Sequence, residues 1–171
     1  MMFLICLNVS SISGQSVSSK PASKPKTVKP GAKLPVAAQQ IEDQQAAATV
    51  EQLLAKAGQK YQRLGVGVWA IRKNGTNFKF FQIVLSYRAG TLVTEVTVAK
   101  GNSVRVNDAA PALLRLANRL DYAKVGVDSA GDVFVRNEAR LKSLDVDELT
   151  NNIDKIAAAA DQVYAEIFPG K

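Results

Sequence analysis

An α+β fold, an antiparallel sheet with helices packed on one face, is predicted by three features of this chain. The elements read in the order α-βββ-α-ββ-α, without the alternating βαβ pattern of a parallel sheet. The turn pairs Asn74-Gly75 and Ala89-Gly90 join successive β-type runs, and such pairs tolerate the positive φ that tight hairpins need. The last stretch places Leu149, Ile153, Ile156, Ala160, Val163 and Ile167 at steps of four and three, the stripe of an amphipathic helix that needs a surface to cover.

Each element has its own local signal. A first helix fits residues 46–61, where Val50, Leu53, Leu54, Ala57 and Tyr61 share one face and Gly58 weakens the last turn. Leu64–Lys73 reads as the first strand, Phe78–Arg88 as the second and Thr91–Ala99 as the third, in one meander. A second helix fits Asp108–Leu120. Asn107 or Asp108 would cap it, Pro111 would sit in its first turn, and Leu113, Leu116, Ala117 and Leu120 would be its buried stripe. Strands Tyr122–Val127 and Asp132–Arg140 flank the turn Asp128-Ser129-Ala130-Gly131. The final helix starts at Asp145 with a capping box to Glu148, and Pro169-Gly170 stops it.

The 171 residues suffice for one domain with a sizeable core. Residues 1–14 read as a signal peptide: the run Met1-Met2-Phe3-Leu4-Ile5-Cys6-Leu7 is followed by the small residues Ser11, Ser13 and Gly14. The run is far shorter than the roughly 20 residues of a membrane-crossing helix. Residues 15–45 read as a disordered linker, because Pro21, Pro25, Pro30 and Pro35 interrupt any helix and few apolar groups offset ordering entropy. Residues 46–171 form the folded domain. The net charge of +7 divides into +3 on residues 15–45, from Lys20, Lys24, Lys26, Lys29 and Lys33 against Glu42 and Asp43, and +4 on the remainder. A periplasmic or secreted bacterial protein is therefore expected, with weak contact to a membrane or envelope polymer through those five lysines.

The second half resembles the YbjN domain family, whose fold is like that of type III secretion chaperones. The resemblance lies in a helix ending Leu113-Leu114-Arg115-Leu116-Ala117-Asn118-Arg119-Leu120-Asp121-Tyr122. A strand follows, Ala123-Lys124-Val125-Gly126-Val127-Asp128, then a Gly-Asp turn and Val133-Phe134-Val135-Arg136. The last helix runs from Leu144-Asp145-Val146-Asp147-Glu148-Leu149 to Asp161-Gln162-Val163-Tyr164. The resemblance implies a small α+β module that binds polypeptide, is often dimeric in the chaperone relatives, and has no catalytic residues.

The residues themselves offer little chemistry. The chain has no histidine, which removes the commonest general base and metal ligand, and Cys6 is its single cysteine. Gly65-Val66-Gly67-Val68 lacks the third glycine and the helix of a phosphate loop. Asp128-Ser129-Ala130-Gly131-Asp132 lacks the ligand set of a calcium loop, and Asp145, Asp147 and Glu148 complement the start of a helix. Arg115, Arg119, Lys124, Arg136 and Arg140 read as solvated charges with too few aromatic neighbours for nucleic acid. No enzyme activity, cofactor, metal or nucleic-acid partner is expected.

One feature points outward. In Phe78–Arg88, Phe81, Ile83, Leu85 and Tyr87 point one way and Phe78, Phe80, Val84 and Ser86 the other, so both faces are apolar. With Trp69, the set Phe78, Phe80 and Val84 is expected to form an interface for a protein partner or for a homodimer. The expected function is thus a non-enzymatic protein-binding or regulatory domain. The alternative is a basic envelope protein that holds an anionic polymer or membrane surface through its lysine-rich linker. Intact-mass measurement of the native protein is expected to show a first residue between about 14 and 20. A native chain that keeps residues 1–13 rules out cleavage.

Overall fold

A computed structural model describes residues 36–170. The segment read as a signal peptide and most of that read as a linker, with its five lysines, lie outside the described residues. The elements are α1 (Val36–Lys56), β1 (Tyr61–Gly65), β2 (Val68–Lys73), β3 (Phe81–Arg88), β4 (Thr91–Ala99), α2 (Val106–Ala117), β5 (Lys124–Val127), β6 (Val133–Arg140) and α3 (Val146–Ile167). A single 3-10 turn, Leu141–Ser143, precedes α3. The strands form one six-stranded sheet in the order β1-β2-β3-β4-β6-β5, with every neighbouring pair antiparallel.

The helices form one layer. α3 packs on β3, β4 and β6 and touches both α1 and α2, so all three lie on the same side of the sheet. Leu149, Ile153, Ile156, Ala159, Ala160 and Val163 of α3 are fully buried. The stripe read from the sequence is the one that meets the sheet, and Ile167 packs against its rim. Asp145 is the N-cap, its carboxylate accepting from the Glu148 amide at 2.7 Å.

Several elements differ from expectation. α1 begins inside the segment read as linker and ends at Lys56. It stops there because Gly58 takes a left-handed φ of +64°, and the Gln59 amide bonds back to the Leu54 carbonyl at 3.0 Å. Gly58 thus terminates the helix, and Tyr61 opens β1 instead of extending the α1 face. The expected first strand is two strands. Gly67, at φ +68°, reverses the chain between β1 and β2, which pair as a hairpin. The meander therefore has four strands.

α2 begins at Val106, and Arg105 at its N-cap supplies no side-chain bond, so neither Asn107 nor Asp108 caps it. Pro111 lies inside the helix. Its missing donor forfeits one bond, to the carbonyl four residues earlier, on an exposed stretch that water reaches. Ala109, Leu113, Leu116 and Leu120 are buried, whereas Ala117 is exposed.

The turn between β3 and β4 is Ala89-Gly90, as expected, with φ of 46° and 82°. Ala89 is the one non-glycine residue with positive φ among the described residues. Its Cβ crowds the following carbonyl in this conformation, at a cost of about 1 kcal/mol. Ala89→Asn, which places the favoured Asn-Gly pair in the turn, is expected to stabilise the protein by about 0.5–1 kcal/mol in chemical denaturation.

Candidate interaction surface

The register sorts the strand residues into two faces, since cross-strand partners point the same way. Trp69, Leu85 and Thr94 share the helix side, as do Ile71 with Ile83 and Val96 with Val135. The opposite side carries a row of Gln62, Ala70, Val84, Glu95, Arg136 and Lys124, and none of the three described helices covers it.

The four expected interface residues divide between these sides. Trp69 is fully buried on the helix side, where its indole nitrogen donates to Glu51 Oε1 of α1 at 3.0 Å. It is core, because its position alternates with Ala70 and falls in register with Leu85. Phe78 is not in a strand. β3 starts only at Phe81, and the loop before it folds toward α3. Asp161 of α3 accepts the amides of Asn77 and Phe78 at 2.8 and 2.7 Å and the Asn77 side-chain amide at 3.0 Å. That clamp turns the Phe78 ring inward, where it stacks on Tyr164 at 4.5 Å and on Phe81 at 5.0 Å. Trp69 therefore belongs to the core, and Phe78, partly buried, packs against it from the helix side. Phe80 remains on the surface, 81% exposed, and Val84 lies half-buried on the uncovered face.

The sheet edge adds residues that the sequence reading missed. β1 pairs only with β2, and all five of its residues are exposed. Leu64 and Val66, at the tip of this hairpin, are 53% and 69% exposed. β5, the opposite edge, has four residues and packs against α2. Beside β1 the uncovered face holds two adjoining hollows of about 450 and 510 Å³. They share Arg72 and Gln82. One reaches Lys60, Gln62 and Ala70, the other Phe80.

The polar motifs take structural roles. Asp128 Oδ1 accepts the amides of Ala130 and Asp132 at 2.8 and 2.9 Å, which closes the β5–β6 turn. Asp132 receives the Gly101 amide at 2.9 Å and the Lys100 ammonium at 2.6 Å. The Lys100 hydrogen bond first, then the Gly101 amide, hold the Asp132 carboxyl below the usual carboxylate range. Three of the five basic residues read as solvated charges, Arg119, Lys124 and Arg136, have acidic partners. Arg119 pairs with Glu166, and Lys124 and Arg136 both pair with Glu138.

A family model described as "Putative bacterial sensory transduction regulator" matches residues 46–169. The chain belongs to the YbjN family. The YbjN crystal structure from E. coli is 12% identical, with a TM-score of 0.53, and the match covers 70% of this chain and 88% of that one. A chain of the heterodimeric ExoU-SpcU complex, from the type III secretion system of Pseudomonas aeruginosa, is 19% identical at a TM-score of 0.52. That match covers 70% of this chain and 98% of the other. A chain of the ExsC-ExsE complex is 13% identical at a TM-score of 0.55, over 73% and 98%. These likenesses show the fold, which is the one the sequence pointed to. No curated protein sequence matches the chain.

The Asp161 clamp gives a measurable handle on the loop that carries Phe80. Partial burial alone would raise the Asp161 carboxyl. The amides of Phe78, Asn77 and Thr76 and the Asn77 side chain outweigh that and lower it below the ordinary value. A depressed carboxylate contributes stability that is present above its unfolded pKa and lost as pH falls through the folded one. Stability is thus expected to decline below about pH 4. Asp161→Asn is expected to cost roughly 1–2 kcal/mol at neutral pH, a figure reduced for solvent access, and to flatten this acid limb in denaturation curves.

Proposed function

We propose that this YbjN domain is a non-enzymatic protein-binding module. It holds a polypeptide, either another protein or a second copy of itself, against the uncovered sheet face and its β1 edge. The observation that carries this reading is the edge. β1 is exposed along its whole length, pairs with β2 alone among the described residues, and leads into a hairpin tip with the exposed apolar residues Leu64 and Val66. Such an edge presents unpaired main-chain donors and acceptors that a strand from another chain satisfies, while flanking side chains select it. The shared fold supports the reading, since two of the similar structures are complexes of the type III secretion kind or chaperone–effector pairs.

Export belongs to the same proposal. The apolar run at the start of the chain is followed by small residues, and a lysine-rich segment then precedes the domain. The module would thus work in the periplasm or outside the cell. A second reading rests on Lys20, Lys24, Lys26, Lys29 and Lys33, with no acidic residue among them. In that reading the segment binds an anionic envelope polymer or membrane, and salt-sensitive binding would survive removal of the domain.

A photoreactive residue placed at Leu64, and at Asp147 on α3 as a control, tests the main reading in cells. Both positions are exposed. Polypeptide adducts are expected from position 64 well above those from 147, and a self-adduct would identify the second copy. Equal labelling from both positions, or none, overturns the edge as the binding site.

A further inference from the structure

We infer that the polypeptide taken by the β1 edge is acidic: an extended segment bearing alternate Asp or Glu side chains, added as a strand beside β1. This inference rests on the proposed binding role and supplies the chemistry of the partner.

The charge of this part of the sheet is one-sided. Between Glu51 and Glu95 the chain contains no acidic residue but seven basic ones: Lys56, Lys60, Arg63, Arg72, Lys73, Lys79 and Arg88. This stretch includes all of β1, β2 and β3. Arg63 is neutralised by Glu51 at 3.5 Å and Lys73 by Asp154 at 3.2 Å, both toward the helices. Lys60 and Arg72 line the hollows of the uncovered face, and neither makes an ion pair among the described residues. The nearest carboxylate along the register is Glu95, in the strand beyond Val84.

Side chains of an added strand alternate between the two sheet faces. One set would project on the side of Lys60 and Gln62, where its carboxylates meet the Lys60 ammonium and the long Arg72 side chain reaching from the next strand. Phe80 gives the adjoining hollow, which shares Arg72 and Gln82, an apolar wall. The other candidates for this site match poorly. A second copy docked by two-fold symmetry would bring the same acid-free basic stretch up against this one, a pairing of like charges. Residues 1–35 of the chain itself carry five lysines and no acid. Single-stranded nucleic acid would use successive stacked rings, whereas Phe80 is the one largely exposed ring on this face. A free strand edge, by contrast, is recognised by peptide main chain.

Fluorescence polarisation with the full chain tests the inference. The probes are a labelled ten-residue peptide alternating Glu with Val, the same peptide with Lys for Glu, one with Thr for Glu, and an oligo-dT. The Glu peptide is expected to bind at least about tenfold tighter than the Lys and Thr peptides, and to weaken by about that factor from about 50 to about 500 mM NaCl. A central proline in the Glu peptide should abolish binding, since a proline cannot add to the ladder. Lys60→Glu/Arg72→Glu, at two exposed positions, should remove the preference for Glu over Lys. Lys60→Gln/Arg72→Gln serves as the milder pair if the first misfolds. Equal binding of the three peptides overturns the acidic chemistry and leaves the edge-binding role standing. Tighter binding of oligo-dT overturns it in favour of a nucleic-acid groove. No binding by any probe removes both the inference and the edge role.

Discussion

Burial of one face of α3 against the sheet holds the rest of the structure in place. Leu149, Ile153, Ile156 and Val163 leave water completely, and each such side chain contributes about 1.5–3 kcal/mol through burial. Ala159 and Ala160, also fully buried, let the helix approach the strands closely. α3 alone touches α1, α2 and three strands, so it sets the distance and orientation of every other layer element. A charged residue in this stripe would have no partner among these apolar neighbours.

A few polar contacts then fix the parts that apolar packing leaves loose. Asp161, on the flank of the same helix, holds the loop between β2 and β3 through two backbone amides and a side-chain amide. Glu51 of α1 receives Trp69 of β2 and pairs with Arg63 of β1, tying the first helix to the edge of the sheet. Hydrophobic contact tolerates sliding, whereas these bonds specify one register. They also explain why the outer surface carries Phe80 but not Phe78. The Asp161 carboxylate turns one aromatic ring in and leaves its near neighbour out.

Placing every helix on one side leaves the other side of the sheet to solvent or to a partner. Its composition is mixed, with Val84 and Ala70 beside Arg72, Gln82, Glu95 and Arg136. Acidic and basic residues are interleaved over β4, β5 and β6, where Glu138 serves both Lys124 and Arg136, whereas β1 to β3 carry no acidic residue. The basic end coincides with the exposed edge. Main-chain pairing and electrostatic steering would therefore act at one place on the molecule.

The sequence alone determined what depends on local periodicity and on residue type. The α3 stripe, its Asp145 cap, the Ala89-Gly90 turn and the side of β3 that bears Ile83 and Leu85 all follow from spacing within a few residues. The α+β class and the family followed from the order of such elements. The unbroken run of basic residues between Glu51 and Glu95 was also present in the sequence, although its meaning depends on which strands it occupies. Tertiary structure decided the rest. A glycine in a helical pattern is either a weak link or a stop, and only the backbone angle of Gly58 shows that it is a stop. Gly65 and Gly67 fit a continuous strand as well as a hairpin until Gly67 adopts its positive φ. The fate of Phe78 depended on Asp161, a residue 83 positions away, and that of Trp69 on Glu51, 18 positions away. No local pattern encodes contacts of that separation, so strand alternation did not show that Trp69 is core and that Phe78 packs against it. The exposed β1 edge likewise emerged only when the strand order placed β1 last in the sheet, where its outer backbone has no strand neighbour among the described residues.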